Sequence, residues 1–235
     1  MSKYKIKKAL ILAAGFGTRL KPLTDNLPKA LIPYKGRPMI ENVISKLTSF
    51  GINEIVINTH HHADRIEDYF SSRSGNEKIT LLHETEILGT GGALKNAEKE
   101  LIGSENFLVY NTDVDCEVNL DEFIKFHQEK AGIATLCVQE RETSRYLICD
   151  NAGRLLGRTE SGQKVFYTEA TEEYRLMAFC GIHILNDEIF GYFPEDESNF
   201  DIIPLYMSLL KKNKQINYFD ISSVNWKDLG TLQNL

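Results

Sequence analysis

Residues Lys8–Leu20, with the sequence KALILAAGFGTRL, join an apolar run to a glycine-rich turn that carries a hydroxyl and a guanidinium group. The apolar residues up to Ala13 do not alternate with polar ones, which is typical of a strand buried on both faces of a parallel sheet. Glycine in the turn tolerates positive φ, so the backbone N–H groups can face a ligand. The stretch therefore predicts a strand that ends in an anion-binding loop.

Two cations lie within or soon after this turn, Arg19 and then Lys29 in the segment Pro28-Lys29-Ala30-Leu31. A guanidinium offers a rigid fork of donors and an ammonium offers a point charge, and together they suit phosphate oxygens. The turn lacks the third glycine of the dinucleotide fingerprint and the Gly-Lys-Ser/Thr end of a Walker P-loop. We therefore predict a triphosphate-binding loop of another type.

Composition limits the class of protein. The chain has 235 residues, of which 42% are hydrophobic and 26% charged, as in ordinary globular proteins. Its formal net charge of −6 argues against nucleic acid as the main partner. No stretch approaches the roughly 18 apolar residues that span a bilayer, so no membrane partner is predicted.

The spacing of the four cysteines indicates the cellular compartment of the protein. Cys116, Cys137, Cys149 and Cys180 lie far apart, without a C-x-x-C pair. This spacing predicts reduced thiols in or near the core of a cytoplasmic protein. The N-terminus is basic, but the apolar run after it is short and passes into the glycine-rich turn without a processing cue, so we do not predict a signal peptide.

Strand and helix patterns alternate through the first half of the chain. This alternation predicts right-handed βαβ crossovers and a mostly parallel sheet, whose carboxyl edge holds the ligand. The predicted strands cover residues 8–13, 54–58, 79–83, 107–110 and 133–138, and the predicted helices cover 39–50, 63–70, 92–101 and 120–130.

The second half has a different pattern. A hairpin is predicted over 146–158 around the turn Asn151-Ala152-Gly153. A buried strand over 180–185, an amphipathic helix over 200–210 and strands over 216–220 and 226–229 follow. No linker-like stretch divides the chain, so we predict one α/β domain over residues 1–235, with a small antiparallel elaboration after about residue 140.

Several motifs, taken in order, resemble those of the sugar-1-phosphate nucleotidyltransferases. The resemblance runs from about residue 8 to residue 232, nearly the whole chain. The motifs are Leu12–Thr24, Pro28–Pro33, Gly36–Ile40, the glycine turn Gly89–Leu94, the triplet Asn111-Thr112-Asp113 and the W-x-D-x-G-T element Trp226–Thr231.

The resemblance implies a Rossmann-like nucleotidyltransferase fold, with a mixed, mostly parallel central sheet flanked by helices. It also implies a nucleotide-binding part over about residues 1–140 and a sugar-binding part over about 141–235. Such enzymes join a nucleoside triphosphate to a sugar 1-phosphate and release pyrophosphate, with Mg²⁺ as cofactor. In-line attack on the α-phosphorus needs no covalent intermediate, so the work is positioning and electrostatics.

Site residues are implied by matching these motifs. Arg19, Lys29 and Asp113 are the catalytic candidates, with Arg19 expected on the β- and γ-phosphates and Lys29 on the α-phosphate or the sugar phosphate. Asp113 and Asp228 are the candidate Mg²⁺ ligands. Gly181 and Trp226 are expected beside the sugar, although Trp226 is equally a candidate core aromatic. The expected nucleotide-binding residues are Leu12, Ala13, Ala14, Gly15, Gly17, Thr18, Arg19, Glu84, Gly89, Thr90, Gly91 and Asn111.

Other features leave alternatives open. The tract His60-His61-His62 favours a loop near the site over a zinc site, because adjacent histidines do not converge on one metal without a further ligand. Glu84 or Glu86 contacts the base or ribose, or both belong to a solvated loop. The family's Glu-Lys-Pro segment, whose lysine lies near the sugar phosphate, has no counterpart over 164–175. Lys164 and Arg158 are candidate replacements.

The substrate is less determined than the reaction class. The short form of the chain resembles the N-acetylmuramate-1-phosphate uridylyltransferases of cell-wall recycling and the compact mannose- or heptose-1-phosphate guanylyltransferases. Length and the Thr-Gly-Gly turn favour UTP with an amino-sugar 1-phosphate. The alternatives are GTP with mannose- or heptose-1-phosphate, a choline-phosphate cytidylyltransferase, and a non-catalytic sugar-nucleotide sensor.

Overall fold

The computed structural model of the protein describes residues 6–169 and 171–235. The strands are β1 (Lys8–Leu12), β2 (Pro33–Tyr34), β3 (Arg37–Pro38), β4 (Glu54–Thr59), β5 (Lys78–His83), β6 (Asn106–Asn111), β7 (Val114–Cys116), β8 (Ala134–Gln139), β9 (Tyr146–Cys149), β10 (Leu155–Glu160), β11 (Gln163–Phe166), β12 (Arg175–Asn186), β13 (Ile216–Asp220) and β14 (Trp226–Asp228). The helices are α1 (Met39–Ser49), α2 (Ala63–Ser72), α3 (Gly89–Asn96), α4 (Glu98–Leu101), α5 (Leu120–Lys130) and α6 (Ile202–Lys211). Short 3-10 turns cover Thr18–Leu20, Lys29–Leu31, Asp187–Tyr192 and Leu232–Asn234.

Strand β1 lies inside the main sheet, parallel to β4 on one side and to β6 on the other. Ala9, Leu10 and Ile11 have no exposed surface, since both faces of the strand are covered. Burial on both faces explains the apolar run without alternation. Because β5 continues the parallel set beyond β4, four carboxyl ends meet at one edge of the sheet.

The second half of the chain supplies the antiparallel strands. The long strand β12 pairs with β9 near its start and with β6 near its end, and β8 pairs with it along much of its length. Its register against β8 shifts between Phe179 and His183, around Gly181 at φ 74°. The predicted hairpin is present as β9 and β10, and the unpredicted strand β11 extends it. The predicted α/β class, with a mixed central sheet flanked by helices, is confirmed.

Helices cover both faces of the sheet. Helices α1 and α5 contribute to the core on one face, where Ile40, Val43 and Ile44 recur at the spacing of one helical stripe. Helices α3, α4 and α6 contribute to the core on the other face. The four cysteines are free and buried, as predicted. In the part of the chain that the structure describes, no helix has the length and apolarity needed to cross a membrane.

Two histidines are buried in this core. His183 on β12 is hydrogen-bonded through Nδ1 to the hydroxyl of Tyr206 on α6, at 2.5 Å. Burial lowers the pKa of His183 to about 3. His127 on α5 is bonded to Thr135 and Asn106, and burial lowers its pKa to about 4. Both rings are therefore neutral in the folded protein near neutral pH.

These depressed pKa values make stability depend on pH. The unfolded chain protonates histidine below a pKa of about 6.5 while the folded chain does not, so the free energy of unfolding falls as pH drops from about 6.5 toward 4. Each ring contributes a slope of up to about 1.4 kcal/mol per pH unit. In urea titrations, the stability difference between wild type and His183→Asn should narrow as pH falls. Parallel curves for the two proteins would contradict this assignment.

Candidate functional site

The carboxyl ends of β1, β4 and β5 are tied together by two side chains. The Ala13 backbone N–H, just after β1, donates to Asn58 Oδ1 on β4 at 2.8 Å. Asn58 Nδ2 donates in turn to Glu84 Oε1, just after β5, at 2.7 Å. Asn58 and Glu84 are almost fully buried. The chain therefore leaves β1 in a fixed direction, and the glycine-rich loop begins from a rigid base.

The glycine-rich loop has an open face. Gly17 has φ +63°, and a Cβ there would lie 2.8 Å from Thr24 Cγ2, so the loop requires glycine at this position. The Thr24 hydroxyl donates to the Gly17 carbonyl at 3.0 Å and closes the loop. At Gly15 an added Cβ would meet no atom within 4 Å. The backbone around Gly15 is thus accessible to a ligand.

Two cations and two carboxylates come together beside this loop. Lys29 Nζ is hydrogen-bonded to Asp113 Oδ2, and both side chains are largely buried. Arg19 Nη2 lies 3.6 Å from Asp228 Oδ2 in a more exposed position. Strand β14 pairs with β7, and the Leu229 N–H donates to the Asp113 carbonyl at 2.8 Å. The structure therefore makes neighbours of Asp113 and Asp228, which lie far apart in the sequence.

A small apolar cluster lies beneath these charged groups. It consists of four buried side chains, Leu20, Ile32, Met39 and Leu229. Leu20 follows Arg19 and Leu229 follows Asp228, while Ile32 closes the 3-10 turn that begins with Lys29. Burial of the apolar neighbours thus fixes the backbone segments that present the charged side chains.

The donor set fits a magnesium ion shared with a phosphate ligand. Among residues 6–169 and 171–235, no three or more His, Cys, Asp and Glu side chains are grouped as a metal site. Mg²⁺ keeps several waters and is usually held by one or two carboxylates together with substrate phosphates. Asp113 and Asp228 lie on backbone segments joined by the bond from the Leu229 N–H to the Asp113 carbonyl, and their carboxylates are of the kind that such a site needs.

The glycine segment from Gly89 differs from its prediction. The helix predicted over 92–101 begins at Gly89 and is interrupted at Ala97, between α3 and α4. The Gly91 and Gly92 N–H groups donate to the Phe200 carbonyl at 2.8 and 3.1 Å. A Cβ at Gly92 would lie 2.0 Å from the Ser198 carbonyl oxygen, so the glycines permit close packing of α3 against the segment before α6.

Two of the residues expected to contact the nucleotide, Glu84 and Thr90, accept hydrogen bonds from other residues of the protein. Glu84 Oε1 accepts from Asn58 at 2.7 Å, and Oε2 accepts from the Leu88 N–H at 3.3 Å. The Thr90 hydroxyl accepts from the Ile202 N–H at 2.9 Å, at the start of α6. Asn58 was not predicted as a site residue, and its position at the end of β4 was the only signal for it in the sequence.

The expected sugar-binding residues lie beyond the end of β6. A Cβ at Gly181 would lie 2.8 Å from Asn111 Nδ2, so glycine lets β12 pass close to Asn111. Trp226 Nε1 donates to the Cys180 carbonyl at 2.9 Å, and the Arg141 guanidinium lies 4.2 Å from the centroid of the Trp226 indole. Trp226 is thus held by β12 and carries a cation on its ring.

A cleft of about 590 Å³ adjoins these residues. Leu12 and Asn111, at the ends of β1 and β6, line it together with Arg141, Arg145 and Arg158. Arg158 was predicted from the sequence as a candidate site residue, whereas Arg141 and Arg145 were not. Their position after strand β8 carried no recognisable motif.

Comparison with known families gives one match over almost the whole chain. The family model described as nucleotidyl transferase matches residues 8–235. The catalytic subunit beta of mannose-1-phosphate guanylyltransferase from Dictyostelium discoideum is 33% identical over 188 residues, which cover 77% of this chain and 50% of that protein. The mannose-1-phosphate guanyltransferase of Aspergillus oryzae is 31% identical over 228 residues, covering 95% of this chain and 60% of that protein. The chain thus spans about half to three-fifths of the length of these two relatives.

A solved structure matches over nearly the full length of both chains. HddC from Yersinia pseudotuberculosis, complexed with GMP-PN, is 25% identical and superposes with a TM-score of 0.76. The match covers 97% of this chain and 96% of that chain. The predicted Rossmann-like nucleotidyltransferase fold is thereby confirmed.

The bonds of Glu84 generate a stability prediction. Glu84→Ala removes the acceptor of two donors, Asn58 Nδ2 and the Leu88 N–H, and should lower the free energy of unfolding by about 1–3 kcal/mol. Glu86→Ala is the matched control, because Glu86 is exposed and lies two residues away. Urea denaturation measures both variants. Equal stability of the two would show that the strand ends do not depend on Glu84.

Proposed function

Since the chain belongs to the nucleotidyl transferase family, we propose that it transfers a nucleotidyl group from a nucleoside triphosphate to a sugar 1-phosphate and releases pyrophosphate. One observation carries the proposal: the Lys29–Asp113 and Arg19–Asp228 pairs lie together beside the open glycine-rich loop. The cations suit a triphosphate and the carboxylates suit a metal shared with it. The adjoining cleft provides room for a second substrate.

We infer that the nucleotide is GTP and the sugar is mannose or a heptose. The relatives in Dictyostelium and Aspergillus are named mannose-1-phosphate guanylyltransferases, and HddC was crystallised with GMP-PN. The expectation of UTP with an amino-sugar 1-phosphate rested on length and on the Thr-Gly-Gly turn. The similarities support the guanylyl alternative better.

The reaction joins two anions, so charge neutralisation and alignment dominate it. We propose that Arg19 binds the β- and γ-phosphates and that Lys29 binds the α-phosphate, while backbone N–H groups around Gly15 face the triphosphate. Asp113 and Asp228 would hold a Mg²⁺ ion, which would supply positive charge to the phosphate oxygens. An oxygen of the sugar phosphate forms the new bond to the α-phosphorus as the bond to the pyrophosphate oxygen breaks. Such substrates and reduced core thiols suit a cytoplasmic enzyme.

The first test is pyrophosphate release with Mg²⁺ from GTP, UTP, CTP and dTTP, each combined with a panel of sugar 1-phosphates. We expect a marked preference for GTP with mannose- or heptose-1-phosphate. A preference for UTP with an amino-sugar phosphate would contradict the guanylyl assignment and support the expectation drawn from the sequence. If the folded protein released no pyrophosphate with any pair in the panel, including pairs with choline phosphate, this result would contradict catalysis and favour the sensor alternative.

A carboxylate variant tests the metal assignment. Asp113→Asn removes a negative charge from the proposed metal site. It should lower kcat by about 10²-fold or more, because less positive charge is then held beside the phosphates in the transition state. Asp115→Asn is the matched control two residues further along the chain, on β7, since Asp115 bonds Tyr34 and Lys35 instead. Turnover near the wild-type rate in Asp113→Asn would show that the metal is held elsewhere.

A lysine variant tests the second cation. Lys29→Ala removes the positive charge proposed for the α-phosphate and should lower kcat/KM by about 10²-fold. Lys21→Ala is a suitable control, because Lys21 is exposed and pairs only with Asp25 among the described residues. Steady-state kinetics at saturating sugar phosphate measure both. Unchanged kinetics in Lys29→Ala would exclude Lys29 from phosphate binding.

A further inference from the structure

Phe16 is a large apolar residue inside the glycine-rich loop. It stands between Gly15 and Gly17 and is 48% exposed. Glycine loses more conformational freedom on ordering than any other residue, so a loop with two glycines is difficult to hold in one shape. The backbone N–H groups that we propose to face the triphosphate belong to this loop. A contact made by the side chain between the glycines therefore restricts the part of the loop that needs it most.

The Phe16 ring packs edge-on against two imidazole rings from the loop that follows β4. The ring centroids lie 5.6 Å from that of His60 and 5.5 Å from that of His61, with interplanar angles of 81° and 62°. Edge-to-face packing at this separation is favourable between aromatic rings. The rings of Phe16, His60 and His61 together form an aromatic clasp, which joins the glycine-rich loop to the end of a neighbouring strand.

Both imidazole rings of the clasp have supports of their own. His60 Nδ1 donates to the Glu84 carbonyl oxygen at 2.8 Å, since a carbonyl oxygen can only accept. The Glu84 N–H donates in turn to the Thr59 carbonyl oxygen at 2.8 Å. The His61 ring packs on the ring of His62, with 4.0 Å between centroids, and His62 lies at the start of α2. The clasp therefore rests on the ends of β4 and β5 and on the start of a helix.

Other contacts hold the loop on either side of Phe16. The Ala13 N–H is bonded to Asn58 Oδ1, and the Gly17 carbonyl accepts from the Thr24 hydroxyl. The clasp supplies a third point of attachment between these two. It leaves the face of the loop at Gly15 open to a ligand.

We propose that Phe16 is a positioning residue for the triphosphate, held by His60 and His61 so that the glycine-rich loop is ordered before the nucleotide binds. The inference rests on the proposed function for the identity of the ligand. A preordered loop binds more tightly, because its conformational entropy is lost during folding and not on binding. Phe16 acts through the backbone of the loop, so it affects the binding of the nucleotide and not the chemical step.

Amide hydrogen exchange of the ligand-free protein tests the ordering of the loop. In Phe16→Ala, peptides that cover residues 13–20 should exchange about two- to ten-fold faster than in the wild type, as expected for loss of an aromatic pair. Peptides from the core strands should exchange as in the wild type. Ile102→Ala is the matched control, because Ile102 is 52% exposed and precedes β6, at the opposite edge of the sheet. It should leave exchange over 13–20 unaltered.

Binding and kinetics test the link to the nucleotide. In calorimetric titrations with GTP and with UTP, each with Mg²⁺, Phe16→Ala should weaken the affinity for the nucleotide that the wild type binds by about two- to ten-fold. Phe16→Tyr keeps the ring and should restore the affinity. In steady state, Phe16→Ala should raise the KM for that nucleotide by a similar factor and leave kcat and the KM for the sugar 1-phosphate unchanged.

A double-mutant cycle tests the partner ring. His61→Ala should also accelerate exchange over 13–20, by no more than Phe16→Ala does. The double variant Phe16→Ala/His61→Ala should exchange no faster than Phe16→Ala alone, because both substitutions remove the same contact. Effects that multiply would overturn the clasp, since they would show that the two side chains act separately.

The outcomes separate this inference from the proposed function. Unchanged exchange over 13–20 in Phe16→Ala would overturn the clasp even if the wild type releases pyrophosphate. Faster exchange in that variant, with no nucleotide bound by the wild type, would support the ordering of the loop and contradict the proposed reaction. A lower kcat with an unchanged KM for the nucleotide would also overturn the inference, because it would place Phe16 in the chemical step.

Discussion

The site depends on the ion pair between Lys29 and Asp113, which joins the segment after the glycine-rich loop to the end of β6. Both side chains are largely removed from water, so each charge needs the other. Removal of one partner leaves a desolvated charge, which costs far more than an exposed pair contributes. The pair thus stabilises the ligand-free site and holds a cation and a carboxylate in position. In the proposed reaction a triphosphate with its metal would supply new partners of opposite sign to both groups, so binding would exchange ionic contacts rather than create them.

The backbone that presents these charges is fixed by apolar and amide contacts. Leu20 and Leu229 pack together beneath the site, next in sequence to Arg19 and Asp228. Asn58 orients the start of the loop by bonding one strand end to the next. These contacts form within the folded protein, so the backbone of the site is fixed before any ligand binds. Preorganised charges of this kind stabilise a transition state more effectively than flexible ones, because they need no reorientation during the reaction.

The sequence was most informative where local patterns act alone. The unalternating run in β1 and the stripe of α1 predicted their elements closely, because burial dictates both patterns. The start of α3 was predicted wrongly, since glycines that usually mark a turn serve here to admit the Phe200 carbonyl. The pairing of β14 with β7 and the placement of Arg141 on Trp226 are long-range contacts. No local pattern encodes such contacts, so the neighbouring carboxylates followed only from the resemblance and the basic cleft was not predicted.

The two groups of cations differ in whether a carboxylate balances their charge, and this difference affects which ligands each group suits. Lys29 and Arg19 each face a carboxylate, so that side is close to neutral and can accept a metal together with a polyanion. Arg141 and Arg145 face none among the described residues, so the cleft attracts an anion without a metal.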